Sequence, residues 1–169
     1  MRKADGDMDS KSDIYYKGKN AFYEDENGQK TVISLAGLSL ASSGVMGGDP
    51  LYNLYRDAFD VLGVENENDE DGKFDGHPVE EYANTLVVDL FELNSTRTET
   101  EGAIILNVWM AVAHELYSVL RGCRSNNKDE MNGALDRATA LWIGADQIRG
   151  DNLQGHLLYN LAELAGELF

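Results

Sequence analysis

A single cysteine, Cys123, is all the thiol chemistry in this chain, so no intrachain disulfide, cysteine zinc cluster or redox pair can form. Basic residues are also scarce. There are 14 Lys and Arg against 30 Asp and Glu, a formal charge of -16, and the resulting repulsion makes DNA, RNA and anionic lipid poor partners. No run approaches the roughly 18 apolar residues of a membrane span, and the opening MRKADGDMDSKSD lacks the apolar stretch of a secretory signal. Missing too are the Gly-x-Ser-x-Gly, Walker and dinucleotide fingerprints. His114-Glu115 begins a zinc-protease pattern, but Ser118 stands where the second histidine belongs.

What is present is enough apolar sequence for a core. With 169 residues, 43% of them hydrophobic, the chain has the length of one domain, and its acidity reads as a solvated surface rather than disorder. Residues 1–12 alternate charged and small side chains and read as a mobile acidic arm; residues 13–169 read as one helical domain. The stretch after Asp13 is aromatic and β-branched, and Asn27-Gly28 between FYED and TVISL favours a short hairpin over a packed irregular segment.

Helical signals follow. Asp49-Pro50 is a capping carboxylate before a first-turn proline, ahead of Leu51, Leu54, Tyr55, Ala58, Phe59 and Leu62, with Gly63 at the end. Pro78 opens a second helix whose inward set is Val79, Tyr82, Leu86, Val87, Leu90 and Phe91. Thr98 and Glu101 have capping-box spacing before a long helix carrying Ile105, Val108, Trp109, Val112, Leu116, Val119 and Leu120, which Gly122 closes. A fourth spans about Lys128 to Ile143, with Met131, Leu135, Leu141 and Trp142 inward and Gly144 as terminator. A fifth starts near Gly155 and carries Leu157, Leu158, Leu161, Leu164 and Leu168. The fold class expected is mainly α, an antiparallel bundle of about five helices with an irregular or short hairpin N-terminal segment.

Several stretches resemble one family. AVAHELYSVLRGCRSN, ALDRATALWIGADQ and GHLLYNLAELAGELF in the C-terminal half, with IYYKGKNAF, SLAGLSL and DPLYNLYRDAF upstream, are similar to the repeat of the algal iron-assimilating and phytotransferrin-like proteins. The resemblance implies one repeat of a noncatalytic protein that binds or relays ferric iron, in some members with carbonate. It also implies a secreted or cell-surface location, with a plastid or other internal compartment left open. The chain departs from the pattern at Leu135, Arg137, Leu141-Trp142 and Ala165-Gly166. The last pair replaces an arginine, the natural bidentate clamp for carbonate, and the cysteine that would partner Cys123.

Ferric iron takes hard oxygen donors with an occasional imidazole, and within the matched stretches His114, Tyr117, Asp136 and Tyr159 supply those types. His114 and Tyr117, three apart, share one side of a helix. The same four residues also fit a buried hydrogen-bonded network with no metal. Glu67, Asp69, Asp71, Gly72 and Asp75 partly imitate a calcium loop, yet the first ligand position is Glu67 and the twelfth is Pro78, so the 67–75 segment reads as an acidic loop. Tyr15, Tyr16, Phe22 and Tyr23 form either an interface for another subunit or repeat, or a patch packed on the chain's own helices. Asn94-Ser95-Thr96 fits a glycosylation sequon, and Cys123, at a helix C-terminus that disfavours a thiolate, reads as a passive thiol. Two function classes remain: an iron-binding module, or a structural or interaction subunit of a larger assembly that kept the fold without the ligand site.

Overall fold

The computed structural model describes residues 8–19, 22–24, 27–38, 43–64, 73–74, 77–92, 96–144 and 157–168. The protein is mainly helical. It divides into two units, Met1–Asn107 and Val108–Phe169.

The first unit starts with helix α1, Met8–Lys17. Residues 8–12, expected in a mobile arm, belong to this helix, and the physical reason is Lys11. Its ammonium lies buried between both carboxylate oxygens of Glu99, at 3.0 and 2.8 Å. A short antiparallel hairpin follows, β1 (Phe22–Glu24) paired with β2 (Lys30–Val32) in the register Phe22 to Val32, Tyr23 to Thr31 and Glu24 to Lys30. Its turn holds Asn27-Gly28 as the sequence predicts, and Gly28 takes the positive φ of 77° that a side chain resists. After a 3-10 turn at Ala36–Leu38 and the single-turn α2 (Ser43–Met46) comes α3, Pro50–Val64. Asp49 is buried just before it, and its carbonyl accepts from the Asn53 N–H at 3.1 Å, as an N-cap carbonyl does. Among the described side chains of α3 the buried one is Tyr52, whereas Leu54, expected inward, is exposed.

A second small ladder pairs β3 (Lys73–Phe74) with β4 (His77–Pro78) and leads directly into α4, Val79–Glu92. The inward row of α4 is Ala83, Val87 and Phe91, spaced by four as one helical face requires. Val87 and Phe91 form the core of this unit with Tyr15 and Ala103, and Leu35, Ala36, Val88 and Leu106 pack on it. The Tyr15 ring meets Phe91 edge-on, at 5.9 Å between centroids.

One long helical run follows, α5 (Thr96–Ala103), a π turn at Ile104–Val108, and α6 (Trp109–Ser125). It begins two residues before Thr98, so the expected capping-box pair lies inside the helix, and Glu99 between them is the partner of Lys11. Along Thr98–Ser125 the helix is long and apolar enough to cross a membrane by length and composition alone. A core helix passes the same test, and 44% of the apolar 18-residue window within it is buried in the protein.

Gly122 does not end α6. The helix runs to Ser125 and closes on Asn126 in the left-handed conformation, φ 56°. The Asn126 N–H donates to Cys123 O and the Asn127 N–H to Gly122 O, the nested pair of a Schellman motif. Asn127 then caps α7 (Lys128–Ile143), with Oδ1 accepting from the Glu130 N–H at 3.2 Å and Nδ2 donating to Glu130 Oε2 at 3.1 Å. Gly144 ends α7 as expected. The remaining helix, α8, is Leu158–Leu168.

Candidate functional site

The second unit holds all four residues expected to bind iron: His114 and Tyr117 on α6, Asp136 on α7 and Tyr159 on α8. The α6–α7 hairpin sets their geometry. Gly122 permits its close approach, since a Cβ there would lie 2.8 Å from Met131 N and 3.0 Å from Met131 Cα, both backbone. Ala134 and Ala138 are the buried residues of α7, one turn apart. Farther along, Arg137 grips Glu115 of α6 through Nε to Oε1 at 2.9 Å and Nη2 to Oε2 at 2.8 Å. Moving from Gly122 to Glu115 on one helix while moving from Met131 to Arg137 on the other defines an antiparallel pair. The hydrogen bonds that Arg137 donates to the Glu115 carboxylate raise its pKa further above its ordinary value, against a smaller opposing effect of burial. Glu115, half of the discarded zinc-protease pair, is thus the acceptor of an interhelical clamp.

Asp136 lies two residues from both Ala134 and Ala138, about 200° round the helix from each, and is exposed, turned away from that buried row. His114 and Tyr117 are half-buried on α6, and the His114 carbonyl accepts from Ser118 Oγ at 3.2 Å. Tyr159 Oη donates to Glu163 Oε1 at 2.9 Å, an i, i+4 contact on α8. The sequence reading missed Glu163, although its four-residue spacing from Tyr159 was the signal for it. Among the described residues no group of three or more His, Cys, Asp and Glu side chains is arranged to hold a metal ion.

The expected interface patch is split by the fold. Tyr15 is a core residue, fully buried, with Tyr16 and Phe22 exposed. The Tyr23 side chain lies outside the described residues, as do residues 65–72 and 75–76 of the acidic loop and Asn94-Ser95 of the sequon. Tyr15 Oη donates to Asn84 Oδ1 at 2.5 Å and accepts from Asn107 Nδ2 at 3.1 Å. Burial holds its phenol well above the usual tyrosine range, and the Asn107 hydrogen bond opposes this in part. Asn107 also donates to Ala103 O at 2.9 Å, while its own buried Oδ1 has no partner among the described residues.

The feature with the strongest functional character is apolar. On α6, Trp109, Leu116 and Leu120 are 39%, 47% and 53% exposed, and on α7, Leu135, Trp142 and Ile143 are 47%, 43% and 38% exposed. All of these but Ile143 are expected inward; they stand outward, and the buried positions of the two helices include the small residues Ala111, Ser118 and Gly122 on α6 and Ala134 and Ala138 on α7. Cys123 is a free, exposed thiol beside the α6 row. No family model, curated protein or solved structure matches this chain. The likeness to the iron-assimilating family therefore rests on the sequence stretches quoted above.

Proposed function

We propose that this chain is a noncatalytic interaction subunit, built as an antiparallel helical assembly, whose docking surface is the outer apolar face of α6 and α7. The observation that carries the reading is the exposure of Trp109, Leu116, Leu120, Leu135, Trp142 and Ile143. Single exposed leucines are ordinary, but rows of large apolar side chains including tryptophan are what a protein interface buries. The test places a photo-activated cross-linking amino acid at position 116, with the polar, exposed position 132 as control, and illuminates cells of the native source. A discrete adduct at 116 and none at 132 is expected. No adduct at either position overturns the reading.

A second reading is ferric iron binding, favoured by one observation: the contact of Tyr159 with Glu163, two hard oxygen donors 2.9 Å apart. In this reading Tyr159 is the phenolate ligand, His114, Tyr117 and Asp136 supply further donors, carbonate completes the shell, and the protein acts at the cell surface or after secretion. Titration with ferric iron, with and without bicarbonate, is expected to give saturable binding near one iron per chain and a visible tyrosinate-to-iron band that Tyr159→Phe removes. Binding no stronger than that of a generic acidic protein discards it.

A further inference from the structure

The turn of the first hairpin carries a chemistry that neither reading of the second unit uses. Asparagine followed by glycine occurs twice in the chain, at Asn27-Gly28 and at Asn132-Gly133. In such a pair the glycine backbone nitrogen attacks the Cγ of the asparagine side chain wherever the backbone lets the two atoms meet. Both asparagines are exposed, so exposure does not separate them. The backbone does. Asn27 and Gly28 lie in the connection between β1 and β2, outside the paired residues of either strand. Gly28 has a φ of 77°, and a Cβ built on it would have, among the described residues and chain neighbours aside, one heavy atom within 4 Å, Glu24 Oε1 at 3.7 Å. The space beside Gly28 is therefore open, and a glycine backbone turns at little steric cost. Asn132 and Gly133 instead lie inside α7, Lys128–Ile143. An N–H at that place in a helix is held by the carbonyl four residues back, and the helical dihedrals are fixed by the turns on either side.

We propose that Asn27 is a site of spontaneous covalent modification in the folded protein, deamidation through a succinimide, and that Asn132 is protected from it by α7. The Gly28 nitrogen gives its proton to solvent base and bonds to Asn27 Cγ. The Cγ–Nδ2 bond breaks, ammonia leaves, and a five-membered imide closes. Water then opens the ring at one of its two carbonyls. Cleavage between Cγ and the Gly28 nitrogen leaves aspartate at position 27. Cleavage between the backbone carbonyl and that nitrogen leaves isoaspartate, in which the chain continues through the side-chain carbonyl and the α-carboxylate is free. One water is consumed and one ammonia released, with no oxidant or reductant. Either product adds one negative charge to a formal -16, and isoaspartate also lengthens by one backbone carbon the connection between the paired Glu24 and Lys30. The new carboxylate arises near Glu24, whose Oε2 pairs with exposed Lys30 at 3.8 Å. Charges in an exposed turn are screened by solvent and salt, so the modified chain keeps its fold and the product accumulates. Its free α-carboxylate is the group that a protein isoaspartyl carboxyl methyltransferase esterifies, which makes that class of enzyme the partner of the aged hairpin.

Peptide mapping by mass spectrometry tests this on the full chain, incubated folded or in urea at neutral and at mildly alkaline pH. In the folded protein residue 27 should convert from amide to acid at least tenfold faster than residue 132, because helix α7 must open locally before Asn132 reacts. In urea, where both pairs sit in an open chain, the two rates should converge. Both should rise with pH, since the attacking nitrogen must lose its proton. Incubation of the aged protein with an isoaspartyl methyltransferase and labelled S-adenosylmethionine should label the peptide that contains residue 27. Asn27→Gln, whose longer side chain disfavours ring closure, should remove most of that label with the circular dichroism unchanged. A folded-state ratio of the two rates below tenfold overturns the proposal, as does label that is undiminished in Asn27→Gln.

Discussion

Replacing Lys11 with Met removes one partner of an ion pair that links helices 88 residues apart in sequence. Lys11 and Glu99 are 3% and 1% exposed, and the ammonium reaches both carboxylate oxygens. Met fills much the same volume, so packing is largely kept and the loss is electrostatic. Glu99 is left as an uncompensated buried carboxylate, at a cost of about 3–5 kcal/mol. Against a total stability of about 5–15 kcal/mol that is a large fraction. In urea, with a slope of about 2 kcal/mol per molar, the unfolding midpoint should fall by about 1.5–2.5 M with the slope unchanged. Replacing both partners, Lys11→Met with Glu99→Met, should recover most of the loss, because no charge is then stranded in the interior. Far-UV circular dichroism follows each variant, and the double-mutant cycle isolates the coupling. A loss below about 1 kcal/mol for Lys11→Met, the range of an exposed pair, would refute the burial of α1 against Glu99.

Two further predictions concern the cores. Gly122→Ala drives a Cβ into the backbone of Met131 and should destabilise the hairpin by about 1–3 kcal/mol, while Gly166→Ala, with nothing within 4 Å, should be neutral or stabilising by up to about 1 kcal/mol. Thermal unfolding of the two variants measures both. Because burial raises the Tyr15 pKa above its ordinary 10.0, the folded state keeps a proton there that the unfolded chain has lost. Stability is thus fully present below pH 10 and falls as pH rises above it, by up to about 1.4 kcal/mol per pH unit. Tyrosinate absorbance followed with circular dichroism should show one of the 8 tyrosines ionising only with unfolding, and Tyr15→Phe should flatten that slope. Complete ionisation near pH 10 with the helices intact would refute the buried hydroxyl.

Local signals were the legible part of the sequence. Asn27-Gly28 marks its hairpin, Asp49-Pro50 the start of α3, and Gly144 the end of α7, because in each case the residue that decides the backbone lies within a few positions of its effect. Helix faces were less legible. Leu54, Leu135 and Trp142 were read inward by apolar spacing, yet each helix carries apolar residues on more than one side, and spacing alone does not say which row meets a neighbour. Lys11 could not be read as buried because its partner is fixed only by tertiary structure. Of the candidate site, the helices carrying His114, Tyr117, Asp136 and Tyr159 were legible. The contacts that occupy their neighbours, Arg137 on Glu115 and Tyr159 on Glu163, depend on helix register.

The same register explains why the hairpin exposes its largest side chains. Two helices approach closely only where small residues let the backbones meet, and Gly122, Ala134 and Ala138 provide that seam. A seam of small residues leaves no room for tryptophan or leucine, so Trp109, Leu116, Leu120, Leu135 and Trp142 are displaced to the outer faces. Each outward leucine or tryptophan, about half exposed, forgoes on the order of half of the roughly 1.5–3 kcal/mol that full burial supplies. In the docking-surface reading, a partner laid along the row recovers part of that energy without disturbing the seam at Gly122. Close backbone packing inside the hairpin and an exposed apolar surface outside it are therefore two results of one residue pattern. Enlarging the seam and placing charge in the outer apolar row are separable perturbations: the first should lower the unfolding temperature, and in the docking-surface reading the second should change only the association.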